Sequence, residues 1–194
     1  MNSPVADHRA LTPGCLWITG LSASGKTTVS TMVHAALSKQ FTNTLLLDGD
    51  QLRRVFGKTK GDYGRNERID TALTYSRLAK ELASQGAFII MAVIGMYKDV
   101  HSWNRDNIDN YRDVFLDVPM QELFRRDPKG LYKQYKAKQI QNIAGLDLKV
   151  DEPENPWIHV KWQDGVSPEA VAGEILDKIT SEIYTRGKGR RIAD

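Results

Sequence analysis

The sequence contains a single cysteine, Cys15, so no disulfide can form within the chain and a cysteine-built metal cluster is excluded. Its neighbours Leu16, Trp17 and Ile18 make it a small buried hydrophobe by expectation. Histidine is sparse too: His8, His34, His101 and His159 stand far apart with no paired thiol, which argues against a structural zinc site. No apolar run approaches the length needed to cross a membrane, and the N-terminus carries no apolar signal core. A soluble, cytoplasmic protein with no membrane partner is therefore expected. The charge imbalance is small, because 27 Lys and Arg against 24 Asp and Glu leave a formal +3. Much of it sits in the tail Arg186-Gly187-Lys188-Gly189-Arg190-Arg191, which solvation accounts for, so no nucleic-acid partner is expected. No internal repeat is present.

What remains is the composition of an ordinary folded protein, 194 residues with 41% hydrophobic and 26% charged side chains, a length that suits one substantial domain. Residues 1–12 read as a loose lead-in, 13–184 as the domain and 185–194 as a basic tail. Cys15 to Thr19 is an apolar strand, followed by a glycine-rich loop and a helix in which Val29, Met32, Val33, Ala36 and Leu37 recur at helical spacing. Further strands are predicted at Thr44 to Leu47, Phe88 to Ala92, Asp113 to Leu116 and Trp157 to Val160. Helices are predicted from about Glu67 to Gln85 and from Pro168 to Tyr184. Continuous apolar strands separated by helix-length segments specify an α/β fold with a parallel sheet covered on both faces. Between about 127 and 155 the pattern changes: Asp127-Pro128-Lys129-Gly130 breaks a helix, Tyr132 to Gln141 forms a short helical stretch, and Ala144-Gly145 breaks it again. This segment is expected to be a mobile lid over a substrate site.

The run Gly20-Leu21-Ser22-Ala23-Ser24-Gly25-Lys26-Thr27 matches the phosphate-loop pattern and lies between a strand and a helix. Small residues let successive backbone N–H groups converge on an anion at a helix N-terminus. Lys26 then reaches the β- and γ-phosphates, and Thr27 holds Mg²⁺. The chemistry implied is that of an ATP-dependent phosphotransferase or nucleotidase. Asp48 and Asp50 follow the next strand, whose end points to the same crevice. Asp50 is the candidate base or acceptor-orienting carboxylate, and Asp48 the candidate for Mg²⁺ or the loop; helix capping is the alternative for either. Arg53, Arg68, Arg125, Arg126 and Lys129 form the set of cations from which substrate and transition-state contacts are expected. Tyr63, in Gly61-Asp62-Tyr63-Gly64, stacks on an acceptor base or packs in the core. Trp17 is expected to pack beside the first strand.

With these residues in place the chain resembles the adenylylsulfate kinase family. The resemblance rests on the loop through Thr28, on Leu47-Asp48-Gly49-Asp50 with Arg53, and on Arg126-Asp127-Pro128-Lys129-Gly130-Leu131-Tyr132-Lys133. Asn142, Gly145, Asp147 and Glu152-Pro153-Glu154-Asn155-Pro156 continue it, so that it covers roughly residues 13 to 180. It implies a P-loop nucleoside-triphosphatase fold, with a mostly parallel five-stranded sheet flanked by helices on both faces and a mobile lid. It also implies a homodimer and Mg²⁺-ATP-dependent phosphorylation of a nucleotide's ribose 3'-hydroxyl. By the same resemblance ATP is held by Gly20, Ser22, Ala23, Ser24, Gly25, Lys26, Thr27, Thr28 and Arg126, and Mg²⁺ by Thr27 and Asp48. The acceptor falls to Asp48, Asp50, Arg53, Tyr63, Arg68, Lys129 and Ile143, with Lys26 and Asp50 catalytic.

The chain departs from the family on the acceptor side. Where members acting on adenylylsulfate resemble Asp-Arg-x-x-Asn-x-Arg-Arg, this chain has Glu67-Arg68-Ile69-Asp70-Thr71-Ala72-Leu73-Thr74. Val93-Ile94-Gly95-Met96 replaces Phe-Ile-Ser-Pro, and Asn142-Ile143-Ala144-Gly145 replaces Asn-Phe-Thr-Gly, so the second stacking aromatic is missing. Tyr75-Ser76-Arg77-Leu78 and Trp103 to Tyr111 look more like a branch that includes cytidine diphosphoramidate kinases of surface-polysaccharide modification. Adenylylsulfate and cytidine diphosphoramidate are both candidate acceptors. An ATP-dependent regulatory switch is the alternative from a different class.

Overall fold

The computed structural model describes residues 9–57 and 64–188. Most of the lead-in and of the tail, together with Tyr63, lies outside the described residues. The sheet has the order β2-β3-β1-β4-β5, with β1 at Gly14–Thr19, β2 at Thr44–Asp48, β3 at Phe88–Ala92, β4 at Tyr111–Asp117 and β5 at Ile158–Lys161. Every neighbouring pair is parallel. Parallel neighbours need long crossovers, and helices supply them: α1 (Lys26–Leu37), α2 (Gly49–Val55), α3 (Arg65–Ser84), α4 (Lys98–Asn107), α5 (Met120–Arg126) and α6 (Leu131–Lys136), with α7 (Pro168–Lys188) closing the chain.

Alternation along β1 divides the core in two. Leu16 and Ile18 join Ile90, Val114 and Leu116 under Val29 and Val33 of α1 and Ile175 of α7. Cys15 and Trp17 point the other way, joining Ile89 and Met91 under Ala72 and Ala79 of α3 and Val100 of α4. Both faces of the central strands are thus covered, which is why their sequences are apolar without a polar phase. Trp17 is fully buried, a packing residue. Burial of Cys15 pushes its thiol pKa up.

Three segments differ from the sequence expectation. Leu11 is buried in the first core cluster, and its N–H donates to Asn43 Oδ1 at 2.9 Å, so the end of the lead-in is pinned. Helix α4 was not anticipated because its inward face carries His101 and Asn104 beside Val100. The helical stretch after Tyr132 stops at Lys136, since Lys138 takes a positive φ of 55° that ends a right-handed helix. In addition, α7 runs past Tyr184 to Lys188. No helix among the described residues is long and apolar enough to cross a membrane.

Strand β1 is the point from which the chain first builds the sheet towards β2 and later towards β4 and β5. In open parallel sheets the crevice beyond the strand C-termini at such a switch point is where ligands bind. The glycine-rich loop leaves β1 there.

Candidate functional site

The loop from Gly20 to Thr27 joins the end of β1 to the start of α1. Ala23 has φ 65° and Gly25 φ 99°. Nothing stands within 4 Å of a Cβ built on Gly25, so glycine is required there by the left-handed backbone and not by crowding. Gly25 is the N-cap of α1 and offers no side-chain hydrogen bond to the helix. The first N–H groups of α1 therefore keep their capacity for an external anion. Lys26 folds back over the loop, its Nζ donating to Leu21 O at 2.7 Å. Burial first, and then the charge of Lys129, lower its pKa to about 7, against the opposing pull of Asp50 and Asp48.

Asp48 ends β2 and performs two tasks at once. Its Oδ1 accepts from the N–H of Asp50 at 2.8 Å and of Gln51 at 3.4 Å, capping α2. Its Oδ2 accepts from Thr27 Oγ1 at 2.7 Å, which ties the second strand end to the phosphate loop. Asp50, two residues on, is ion-paired through Oδ1 with Arg53 and through Oδ2 with Lys129. Partial burial pushes the Asp50 pKa up, but the Lys129 hydrogen bond and the Arg53 charge outweigh it and hold the carboxyl below its usual range.

Two open spaces flank these groups. One, of about 570 Å³, is lined by Gly49, Arg53, Arg68, Tyr75, Val93 and Tyr97, among others. The second, of about 470 Å³, lies between the phosphate loop and the β5–α7 connection, with Ser24, Gly25, Val118, Arg126, Trp162 and Pro168 on its walls. A phosphate-binding loop shared between two pockets is the arrangement needed to bring a donor and an acceptor together.

The segment after α5 spans both. Asp127 accepts from the N–H groups of Tyr132 at 3.1 Å and Lys133 at 2.9 Å, so its carboxylate caps α6. Tyr132 Oη donates to Ser22 O at 2.9 Å. A Cβ on Gly145 would stand 2.7 Å from Leu21 Cδ1, so glycine is needed for the close approach of this segment to the loop. Arg68 Nη2 donates to Asn142 O at 2.8 Å, and Arg65 to Lys149 O at 2.7 Å and Asp151 Oδ2 at 2.6 Å. The lid has its own small core of Leu123, Tyr132 and Ile143. It touches the rest of the molecule through hydrogen bonds and single side chains, the pattern of a segment that opens locally.

A family model described as Adenylylsulphate kinase matches residues 12–161. The chain belongs to that family. A cytidine diphosphoramidate kinase of Campylobacter jejuni is 39% identical over 73% of this chain and 82% of its own length. An adenylyl-sulfate kinase of Pseudomonas aeruginosa is 35% identical over 76% of each chain. The bifunctional enzyme NodQ of Rhizobium tropici is 34% identical over 88% of this chain, which spans only 27% of NodQ. Among solved structures, the Mycobacterium tuberculosis APS kinase CysC in complex with AMPPNP and APS superposes with a TM-score of 0.76 at 31% identity, covering 88% of this chain and 97% of that one. This adenylylsulphate kinase family member is therefore an ATP-dependent P-loop phosphotransferase.

Within this kinase the predicted residues fall into three groups. Lys26, Thr27, Asp48, Asp50, Arg53 and Lys129 are joined by the contacts above, with Arg68 on the acceptor-side wall. Gly20, Ser22, Ala23, Ser24, Gly25 and Thr28 belong to the loop and the first turn of α1, and Arg126 lines the second space. Ile143 is elsewhere: it is buried in the lid core and is absent from the walls of the acceptor-side space. Arg125 is exposed and pairs with Glu122. The sequence reading missed Glu122, which holds both arginines, at 2.6 Å from Arg125 Nε and 2.7 Å from Arg126 Nε. Hydrogen bonds from Arg125 and then Arg126 bring its pKa down to about 2. Its three- and four-residue spacing to the two arginines was the available signal. Tyr97 and Trp162 were also missed as pocket walls, and nothing local in the sequence marks them.

Proposed function

We propose that this kinase transfers the γ-phosphate of Mg²⁺-ATP to the ribose 3'-hydroxyl of a small nucleotide, with cytidine diphosphoramidate as the first acceptor to be tried. The observation that carries the reading is Asp50: it stands at the end of β2 next to Asp48, and it is bridged to Arg53 on the crevice wall and to Lys129 of the lid. A carboxylate so placed accepts a hydrogen bond from an acceptor hydroxyl and aligns it with the phosphate loop. Because the cations keep it ionised and weakly basic, its task is orientation more than proton storage, and phosphoryl transfer requires little base strength. The choice of acceptor is supported by the 39% identity to the Campylobacter jejuni enzyme. Adenylylsulfate is the second candidate, on the 35% identity to the Pseudomonas aeruginosa kinase and the likeness to the complex with APS.

The donor side follows from the same geometry. The uncapped start of α1 and the backbone from Gly20 to Thr28 fit the phosphates of ATP. Lys26 counters the β- and γ-phosphates, and Arg126 flanks the nucleoside. Thr27 Oγ1 and the Asp48 carboxylate are hard oxygen donors already in contact, a set that suits Mg²⁺. When bound, the ion neutralises phosphate charge. Arg53, Arg68 and Lys129 serve the anionic groups of the acceptor. The domain is placed at residues 13–184 with its lid at about 127–155, and the assembly is taken to be a homodimer.

The test is an ADP-release assay with ATP, Mg²⁺ and each acceptor, followed by product mass and fragmentation to locate the added phosphate. Transfer to the 3'-hydroxyl of either nucleotide supports the reading. ATP binding that alters partner affinity without a phosphorylated product would replace it with a regulatory switch.

A further inference from the structure

We propose that Tyr75 is the residue on which the acceptor's base stacks, and that Phe56 positions its ring. The proposal rests on the kinase reading above and assigns the apolar end of the same crevice. That crevice is split in character: Arg53 and Arg68 line one part of it, and Ala72, Tyr75, Val93 and Ile94 supply an apolar part. A nucleotide has the same split, between an anionic phosphate end and a flat base.

Among the described residues on the crevice walls the aromatic rings are Tyr75 and Tyr97. The Tyr97 ring is covered by Arg65, whose Cζ lies 5.1 Å from the ring centroid. Ile143, at the position where the sequence comparison places an aromatic, is packed in the lid core. Tyr75 is what remains to offer a ring to a base.

Its ring is held from behind. Phe56, at the C-terminal end of α2, stacks on Tyr75 with centroids 5.9 Å apart and planes 30° apart. Phe56 is 42% exposed, which is poor use of a large aromatic for core stability but suits a brace at the edge of a binding site. Helix α2 thus carries Asp50 for the acceptor hydroxyl, Arg53 for its anionic group and Phe56 behind the base platform, at three-residue steps. The Tyr97 hydroxyl adds a polar group: it is buried and has no hydrogen-bond partner among the described residues, so it is available to a heteroatom of the bound nucleotide.

The experiment compares the wild type with Tyr75→Phe, Tyr75→Leu and Phe56→Leu, using whichever of the two candidate nucleotides the wild type phosphorylates. Base stacking predicts that Tyr75→Leu raises the acceptor KM about tenfold or more, with the ATP KM unchanged and kcat altered far less. Tyr75→Phe keeps the ring and restores the wild-type KM, while Phe56→Leu, at a half-exposed site, gives a smaller rise in the same constant. In parallel, the binding of cytidine and adenosine monophosphates is titrated with the donor site saturated by Mg²⁺-ADP. An unchanged acceptor KM in both leucine variants overturns the proposal while leaving the kinase reading intact. If the wild type phosphorylates neither nucleotide, weakened monophosphate binding in Tyr75→Leu and Phe56→Leu supports the platform without the proposed acceptor. Equal monophosphate affinity in all four proteins overturns it.

Discussion

Lys129 of the lid and Asp50 at the end of β2 form an ion pair across 79 residues of sequence. The contact links the one segment built to move with the carboxylate nearest the phosphate loop. Both side chains keep substantial solvent exposure, at 59% and 38%, so its contribution to folding is small even though its geometry matters to the site.

Replacing Lys129 with methionine is therefore expected to separate stability from activity. Denaturant unfolding should shift by less than about 1 kcal/mol. The kcat for the acceptor should fall roughly a hundredfold, since a preorganised cation near the transferring group is lost. Steady-state kinetics beside an unfolding curve check both, and an unchanged kcat would remove Lys129 from the site.

For Asp50→Asn the expectation is a loss of about two orders of magnitude in kcat, with ATP affinity retained because Asp50 stands outside the phosphate loop. Equilibrium binding of an ATP analogue and single-turnover kinetics distinguish the two. Turnover near the wild-type rate would show that the acceptor hydroxyl is aligned by other groups.

Asp48→Asn separates the two tasks of that residue. Asparagine caps helices as well as aspartate does, so α2 and the melting temperature should be preserved. The Mg²⁺ concentration needed for half-maximal activity should rise about tenfold as a negatively charged partner of Thr27 is removed. A Mg²⁺ titration of both proteins gives the answer, and coincident curves would leave Asp48 with the cap alone.

His101 sets an acid limit on stability. It is buried in α4, and neither ring nitrogen has a hydrogen-bond partner among the described residues. Burial, and to a lesser degree Arg105, lower its pKa from 6.5 to about 4, against the opposing charges of Asp113 and Asp151. The unfolded chain therefore binds a proton that the folded chain refuses as pH drops below about 6.5. The stability from a neutral His101 is complete above that pH and is lost progressively down to about 4. Each unit between them amounts to about 1.4 kcal/mol. His101→Leu should flatten the stability profile in that window. Denaturant midpoints at pH 7, 6, 5 and 4.5 for both proteins test this, and parallel profiles would rule His101 out.

These expectations draw on parts of the molecule that were not equally legible beforehand. All five strands were readable because a parallel strand covered on both faces is an apolar run wherever it lies. Helix α4 was hidden because His101 and Asn104, polar letters, occupy its inward face. The lid was readable as an irregular segment, but its inner face was not. Ile143 was expected at the acceptor and instead closes a small core with Leu123 and Tyr132. A side chain's facing depends on what packs against it, and those partners lie about ten and twenty residues upstream.

The phosphate loop needed nothing beyond the chain itself, because its geometry is local: consecutive small residues, a left-handed Gly25 and the start of a helix fix where the backbone N–H groups point. The family could be recognised for the same reason, through short motifs of neighbouring residues. The acceptor half belongs to the folded molecule. Arg53, Arg68, Tyr75, Val93 and Tyr97 come from two helices, a strand end and the loop after it, and Lys129 reaches Asp50 from the lid. They meet only because parallel crossovers bring the C-terminal ends of the strands to one edge of the sheet, a placement made by packing over long chain separations.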